Sequence, residues 1–344
     1  TVNSHPPARL QAPQEFMEVA EHLRQHGIAL VMGTFDNLGR LVTLRVSEGK
    51  VDFVEETGFH YTSFQGWAKS YPFDYGEDEE KRPIFSKREI MLRTLEGCQL
   101  APFPNSATLV VLDSQLRSIP PNILLAHGEL IGDHHPVGAA PSLTWLAASF
   151  RRQQAGAGCH CAWISNGGSG ESLNMLVENL APDFAKHGVH FDTGSQVPTG
   201  FAGADLAIVT AHGSVSPEGQ YFHALNDEGT LKVPAEALAN SLRNVRVVVL
   251  FVCSGGRSDK VPGVNTTSGL AKQLLNAGCS NVIASPWPVQ TTNALGWIPE
   301  FLERWSQGER AIDACFHVNQ AIGGDDPCRK LAMNLFGDPC QRSI

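Results

Sequence analysis

Two short segments of the sequence hold residue types that could form a nucleophile and its base. The segment TAHG contains His212, and the segment FVCSGG contains Cys253. A cysteine thiol titrates near about pH 8.5, so at neutral pH it is a weak nucleophile until a base takes its proton. An imidazole can act as that base. His212 and Cys253 could therefore form a catalytic pair if the fold brings them together.

Glycines follow both candidate residues. Gly213 comes directly after His212, and two glycines stand just beyond Cys253. Because glycine has no side chain, the backbone at these positions can approach a substrate carbonyl closely. We predict that the backbone N–H groups of Gly213 and Cys253 form an oxyanion hole.

Two nearly continuous apolar runs would position the pair. DLAIVTA ends at Ala211, and VRVVVLFV ends at Val252. Such runs are typical of parallel strands that are buried on both faces. Functional groups of open parallel sheets gather at the carboxyl ends of the strands, and a right-handed crossover would give the two strands the same direction. We expect His212 and Cys253 to face each other across adjacent strand ends.

From about residue 105 onward, apolar runs alternate with amphipathic segments, which predicts a mostly parallel sheet with helices on its faces. The predicted strands cover residues 107–113, 160–165, 205–211, 245–252, 281–285 and 331–336. The predicted helices cover residues 172–186, 234–242, 269–277, 292–305 and 310–322. Ser268 is the predicted N-cap of the third of these helices.

The first hundred residues have a different pattern. Apolar spacing predicts a helix over residues 13–26, and strand-like runs follow at 28–35, 39–46 and 51–55. The acidic run GEDEEK at 76–81 is typical of a solvated loop. We expect an accessory α+β lobe over residues 1–104 and a larger α/β domain over residues 105–344.

Five blocks of the sequence, in order, resemble the CHAT family of caspase-like cysteine peptidases in clan CD, relatives of caspases and separase. LAIVTAHGSVSPEGQ and VVVLFVCSGGRSD resemble the family's two apolar strands that end in His-Gly and in Cys-Ser-Gly. SGLAKQLLNAGCSNVIASPWPV is similar to its helix, turn, strand and W-P-V segment, and NLFGDP to its closing G-D-P block. Upstream, SIPPNILL, ELIG and APSLTWL resemble its P-W-E-L-L and A-P-S-L-x-x-L elements.

The resemblance implies a caspase-like three-layer sandwich with a mostly parallel central sheet, beside the small N-terminal lobe. It implies a sequence-specific cysteine endopeptidase that works through a thioester, with Cys253 as nucleophile, His212 as general base, and no metal or other cofactor. Gly213 matches the glycine beside the oxyanion hole, and Trp287 matches the tryptophan that walls the substrate cleft.

The other residues expected in the cleft are neutral. Many members of the family carry acidic residues after W-P-V, where this sequence has Gln290 and Thr291, and the remaining two positions hold Asn166 and Phe251. A carboxylate is what would pair with a cationic P1 side chain. A strict requirement for Arg or Lys at P1 is therefore not expected, unless a residue such as Asp205 or Glu218 supplies the charge.

The resemblance also implies regulated cleavage of few proteins, in bacterial defence or programmed cell death. The implied partners are a protein substrate, such as a gasdermin-like or co-encoded protein, and a separate activating sensor protein. The alternative is a catalytically silent caspase-like scaffold that binds a partner protein through its cleft.

Composition narrows the function classes further. The net charge of -9, from 26 Lys+Arg against 35 Asp+Glu, provides no basic surface for nucleic acid. No apolar stretch approaches the length of a membrane span, and the first residues do not resemble a secretory signal, so we expect a cytoplasmic protein. We expect the eight cysteines to be thiols in such a compartment.

Three groups of residues partly resemble motifs of other functions, namely phosphate binding, zinc binding and serine hydrolysis. NGGSGES at 166–172 stands where a phosphate-binding loop would, but it lacks both the GxGxxG order and the GK[ST] ending. GDHHPVG at 132–138 and CHC at 159–161 show no set of four ligands at zinc spacing. Ser142 and Ser254 lack a GxSxG setting. We interpret these segments as a cleft-side turn, surface or strand-start residues, and ordinary serines.

Overall fold

The computed structural model describes residues 13–70, 88–152, 158–165, 171–215, 221–224, 232–257, 259–260 and 267–343. The strands are β1 (Ala29–Phe35), β2 (Leu41–Ser47), β3 (Lys50–Glu55), β4 (Gln99–Leu100), β5 (Thr108–Leu112), β6 (Leu125–Ala126), β7 (Glu129–Leu130), β8 (Val137–Ala139), β9 (His160–Ser165), β10 (Val189–Gly194), β11 (Leu206–Val215), β12 (Tyr221–Ala224), β13 (Lys232–Pro234), β14 (Val247–Val252), β15 (Asp259–Lys260), β16 (Thr267–Ser268), β17 (Asn281–Ala284) and β18 (Asn334–Gly337). The helices are α1 (Pro13–Gln25), α2 (Tyr61–Ser70), α3 (Arg88–Thr94), α4 (Leu143–Arg151), α5 (Glu171–Lys186), α6 (Ala235–Ser241), α7 (Leu270–Asn276), α8 (Thr291–Ser306), α9 (Ala311–Gly323) and α10 (Pro327–Lys330).

One large sheet dominates the described part of the chain. Eleven of its strands follow one another in the order β10-β9-β11-β14-β17-β18-β8-β5-β1-β2-β3. The strands from β10 to β17 are parallel to one another, and β18, β8, β5 and β1 form a second parallel block. β18 joins the blocks by pairing antiparallel with β17. This arrangement confirms the predicted caspase-like α/β fold with a mostly parallel sheet.

Helices cover both faces of the sheet, as its sequence pattern predicts. In β14, Val247 and Val249 pack on one face in a cluster with residues of α5, α8 and α9. Val248 and Leu250 pack on the other face with residues of α6 and α7. Successive side chains of a strand point to opposite faces, so an uninterrupted apolar run is what two covered faces require.

The N-terminal strands extend the same sheet. β1 pairs in parallel with β5, and β2 and β3 continue outward as an antiparallel pair. The predicted helix and three strands are therefore present in the first hundred residues, and β1 connects them directly to the larger sheet.

A buried ion pair ties this hairpin to the chain that enters β5. The Glu56 carboxylate accepts hydrogen bonds from Arg45 Nη2, Thr43 Oγ1 and the backbone N–H of Ala101, each at 2.5 Å. The side chains of Arg45 and Glu56 are only 7% and 0% exposed. Arg45 also donates to the carbonyl oxygens of Ala101 and Pro102. The charges are thus paired and hydrogen-bonded, as buried charges must be.

Some elements differ from the sequence expectation. The segment from residue 57, which has no clear apolar period, contains α2, and Phe64 and Trp67 bury one face of that helix. Ser268 is not an N-cap, because it lies in β16 and Gly269 caps α7. The acidic run at 76–81 lies outside the described residues.

The NLFGDP block forms β18 and the turn after it. Asn334 is fully buried, and its side-chain Nδ2 donates to the carbonyl oxygens of Leu331 and Ala332. Gly337 has a φ of 117°, and a Cβ there would lie 2.2 Å from the carbonyl oxygen of Ser280. Only glycine allows this approach of the two backbones.

None of the described helices has the length and apolarity that a membrane span requires. The eight cysteines, all of which the structure describes, form no disulfide bond with one another.

Candidate active site

The register of two strands brings His212 and Cys253 to neighbouring positions. β11 and β14 are adjacent and parallel, and Ala211 is the register partner of Val252. His212 follows Ala211 in the sequence, and Cys253 follows Val252. The site therefore lies at the carboxyl ends of these strands, where sites of parallel sheets form.

Both side chains belong to the same face of the sheet. Ile208 of β11 and Val249 of β14 pack in the cluster formed with α5, α8 and α9. His212 follows Ile208 by four residues, and Cys253 follows Val249 by four, so the two-residue period of a strand directs both toward that face. The Cys253 Sγ donates to the carbonyl oxygen of Val289, 3.7 Å away, just before α8 on this face.

Cys253 begins a tight turn that rests on the end of β17. Ser254 adopts the left-handed conformation with a φ of 59°, which is costly for a residue with a side chain. Its N–H donates to the carbonyl oxygen of Trp287 at 3.3 Å, and the N–H of Gly256 donates to that of Ser285 at 2.8 Å. These contacts hold the strained turn and fix the direction of the Cys253 side chain.

The electrostatics of the thiol depend on two opposing effects. Burial raises the pKa of the Cys253 thiol above its ordinary value, because removal of water disfavours the thiolate. Backbone hydrogen bonding by Gly213 and by Cys253 itself lowers that pKa and so partly compensates. Burial is the larger effect, so the pKa of the thiol stays above its ordinary value.

His212 is held by strand pairing on both sides. Before it, β11 pairs with β14; from His212 onward, β11 pairs antiparallel with β12, where Ala224 is opposite His212 and His223 is opposite Gly213. The segment Tyr221–Ala224 thus forms the hairpin edge beside the site, and β13 extends it. Because β11 is paired both before and from this residue, the backbone of His212 is held in place.

Two residues predicted in the cleft, Phe251 and Trp287, have buried side chains. Phe251 is 5% exposed, and its ring meets the ring of Trp297 edge-on at 5.4 Å. Trp287 is 2% exposed, and its indole N–H donates to the carbonyl oxygen of Cys328 at 2.9 Å. Residues of α8 and the segment of α10 contact these side chains, and their place in a substrate cleft stays a prediction. Trp287 serves the site through its carbonyl oxygen.

The remaining cleft candidates differ in their placement. Gln290 is exposed and Thr291 is partly buried, and both follow Val289, whose carbonyl contacts the thiol. Asn166 lies outside the described residues. The sequence did not predict a role at the site for Val289 or Ser254. Val289 directly precedes Gln290, and Ser254 directly follows Cys253.

Asp205 cannot supply a charge to the cleft. It directly precedes β11, at the opposite end of that strand from His212. It is 2% exposed and accepts a hydrogen bond from Arg246 Nη1 at 2.9 Å. Glu218, the other acidic candidate, lies outside the described residues.

A mostly parallel sheet covered by helices on both faces is the caspase-like fold of the clan CD cysteine peptidases, and His212 and Cys253 lie at the ends of two of its adjacent strands. The model of the CHAT domain family matches residues 90–332. The chain belongs to this family.

Solved structures of separase agree on the fold. The separase of Saccharomyces cerevisiae, in two structures of the separase–securin complex, aligns with TM-scores of 0.58 at 9% and 10% identity, over 95% and 94% of this chain. The match covers 31% of the separase chain, so this chain spans less than a third of that protein. The Arg-specific cysteine proteinase gingipain R aligns at 14% identity over 77% of this chain and 69% of its own, with a TM-score of 0.43. No curated protein matches the chain by sequence search.

Proposed function

We propose that the chain is a sequence-specific cysteine endopeptidase with Cys253 as nucleophile and His212 as general base. The observation that supports this most is the in-register placement of the two residues at the ends of β11 and β14. The Sγ of Cys253 also faces backbone groups of Gly213 and Val289 at these strand ends.

The proposed reaction has two stages. Cys253 Sγ attacks the scissile carbonyl as His212 takes the thiol proton, and the amine leaves with that proton while a thioester forms. Water, deprotonated by His212, then hydrolyses the thioester and restores the thiol. The backbone N–H groups of Gly213 and Cys253 stabilise the oxyanion in both stages. In support, the backbone of both residues already hydrogen-bonds the sulfur.

We propose a neutral P1 side chain for the substrate. The exposed Gln290 and the partly buried Thr291 next to the thiol-contacting Val289 offer an amide and a hydroxyl rather than a carboxylate. Burying a Lys or Arg without an anionic partner costs several kcal/mol. Profiling with a peptide library is expected to show neutral or apolar P1 residues such as Leu or Met. A preference for Arg or Lys would contradict the proposal.

We further propose that the substrate is a protein of bacterial defence or programmed cell death, such as a gasdermin-like or co-encoded protein, and that a sensor protein activates the enzyme. Family membership is what supports this role. Co-expression of the chain with neighbouring gene products, followed by mass spectrometry of new termini, would identify such a substrate. Cleavage that persists with Cys253→Ala would assign it to another protease.

The catalytic proposal is tested with an electrophilic peptide probe. Wild-type chain is expected to be labelled at Cys253, and both Cys253→Ala and His212→Ala should abolish proteolysis without loss of fold. The two effects should not add in the double variant, because the residues act as a unit. Cys159→Ala is the control, since it changes a thiol outside the site.

The second candidate function is a silent caspase-like scaffold that binds a partner protein through the same cleft. It predicts equal labelling of the wild-type chain and Cys253→Ala. That result would exclude catalysis by Cys253.

A further inference from the structure

A second cluster of chemically active side chains lies apart from the candidate active site. His22 and His26 of α1 meet Cys340, which follows β18, and one ligand atom from each residue lies within 4.8 Å of the others. Among the described residues, this is the group of three that could hold a metal ion. It includes neither of the two His-rich segments that the sequence suggested.

The two histidines share one face of their helix. They are four residues apart, which places them on successive turns of α1, and their ring centroids are 4.6 Å apart. His26 Nδ1 lies 2.9 Å from the carbonyl oxygen of His22, so Nδ1 carries the proton and donates it. This leaves Nε2 of His26 with its lone pair, the arrangement that metal-bound histidines show.

The His22 ring is also held in place. It stacks on Phe150 of α4, with the ring centroids 3.9 Å apart. Burial lowers the pKa of His22 below its ordinary value, and the nearby His26 acts in the same direction. Asp338 opposes this shift.

Cys340 is positioned by a short turn after β18. Its backbone N–H donates to Asp338 Oδ1 at 2.9 Å, and Gln341 Nε2 donates to the other oxygen of the same carboxylate at 2.5 Å. The sulfur packs beside the apolar cluster of α1 and α4. Burial raises the pKa of this thiol and the Asp338 carboxylate raises it further, whereas Arg310 and Arg342 act in the opposite direction.

We propose that His22, His26 and Cys340 bind a Zn²⁺ ion, with water at the fourth position. Two imidazoles and one thiolate match the ligand preference of Zn²⁺, and exclude hard cations such as Mg²⁺ and Ca²⁺. In a tetrahedral site, bonds of about 2.0 Å to nitrogen and about 2.3 Å to sulfur put these ligand atoms about 3.3–3.5 Å apart. From separations within 4.8 Å, the side chains thus need to close by at most about 1.5 Å. Binding releases the Cys340 proton to solvent, and the ion then carries a net charge of about +1 with its thiolate.

The site joins two parts of the chain that lie outside the CHAT match at residues 90–332. α1 precedes this region, and Cys340 follows it. Arg310, which precedes α9, adds a hydrogen bond to the carbonyl oxygen of His26 at the end of α1. A Zn²⁺ ion here would fasten the N-terminal helix to the segment after β18, so its role is structural and separate from peptide cleavage.

The test is a calorimetric titration of Zn²⁺ into the full chain carrying Cys253→Ala, because the catalytic cysteine and histidine can themselves bind Zn²⁺. One ion per chain is expected. Adding His22→Ala or Cys340→Ala should weaken binding by at least about 100-fold, since loss of an outer-shell partner alone costs about 10–100-fold. His190→Ala and Cys159→Ala are matched controls and should leave the affinity unchanged.

Co²⁺ provides a second readout that does not depend on how the variants fold. With Cys253 replaced, bound Co²⁺ should show a thiolate-to-metal charge-transfer band that comes from Cys340, together with visible bands of tetrahedral geometry. Failure of the Cys253→Ala chain to bind Zn²⁺, or binding that Cys340→Ala leaves unchanged, would overturn the proposal. So would a Co²⁺ spectrum without the thiolate band.

Discussion

Replacing Glu56 with glutamine should strongly destabilise the protein. The substitution keeps the shape of the side chain but removes the negative charge that faces Arg45 in the interior. It also leaves one acceptor oxygen where the carboxylate now receives three hydrogen bonds, from Thr43, Arg45 and Ala101. The Arg45 guanidinium would remain buried without a counter-charge.

The structure sets the size of the effect. Because Glu56 is 0% and Arg45 only 7% exposed, water cannot replace the missing charge. Breaking a buried pair by removing one partner costs about 3–5 kcal/mol. The neighbouring residue gives a matched control, since Glu55 pairs with Arg40 at the surface with 47% and 51% exposure. Loss of an exposed pair costs about 0.2–1 kcal/mol.

Urea unfolding, followed by circular dichroism, measures both changes in the free energy of unfolding. Glu56→Gln should lower it several times more than Glu55→Gln. Adding Arg45→Met to Glu56→Gln should recover part of the loss, because the unpaired charge is then gone. Equal effects of Glu56→Gln and Glu55→Gln, or a further loss in the double variant, would refute the reasoning.

Two further predictions concern Cys253 and strand β18. Because burial raises the pKa of Cys253, the rate of its alkylation by iodoacetamide should rise about tenfold per pH unit from pH 7 to 8.5, as the thiolate fraction grows; a rate already constant below pH 7 would instead indicate a preformed thiolate. Gly337→Ala should destabilise the fold far more than Gly39→Ala. Both glycines have positive φ, which costs a residue with a side chain about 1–2 kcal/mol. Only at Gly337 would the new Cβ also meet backbone, namely the carbonyl oxygen of Ser280. Thermal unfolding of the two variants compares them, and similar melting temperatures would contradict this view.

The central strands could be predicted because local composition determines them. β9 matches its predicted bounds, and β11 and β14 lie within a few residues of theirs. Each is an apolar run that needs cover on both faces. The placement of His212 and Cys253 at neighbouring strand ends could be predicted for the same reason, since the ends of two such strands are visible in the sequence and adjacent parallel strands place their ends together.

Other features depend on contacts that the local pattern does not contain. The aromatic residues of α2 take helical positions because they pack against distant core residues such as Leu116 and Ile123. β8 has three residues, too few to show a period. The direction of β18 is set by the connection through α9 and α10, and its own residues are compatible with either direction.

The sequence also did not predict the directions of the side chains around the site. Phe251 stands two residues before Cys253, which suggests a cleft position, but the sequence did not show that its ring packs against Trp297 of α8. The cluster of His22, His26 and Cys340 has no motif spacing, because its members come from near opposite ends of the sequence. Only the i, i+4 histidine pair was a local signal.

The position of β18 constrains the order in which the molecule can assemble. β18 lies between β17 and β8, and all the other strands of the sheet precede it in the chain. Until residues 334–337 have been synthesised and paired, β17 and β8 each present an unpaired edge, and the two parallel blocks share no strand-to-strand hydrogen bonds. Such edges are templates for association with other chains. The nascent protein therefore depends on a late step that joins the two blocks of the sheet and pairs both of these edges.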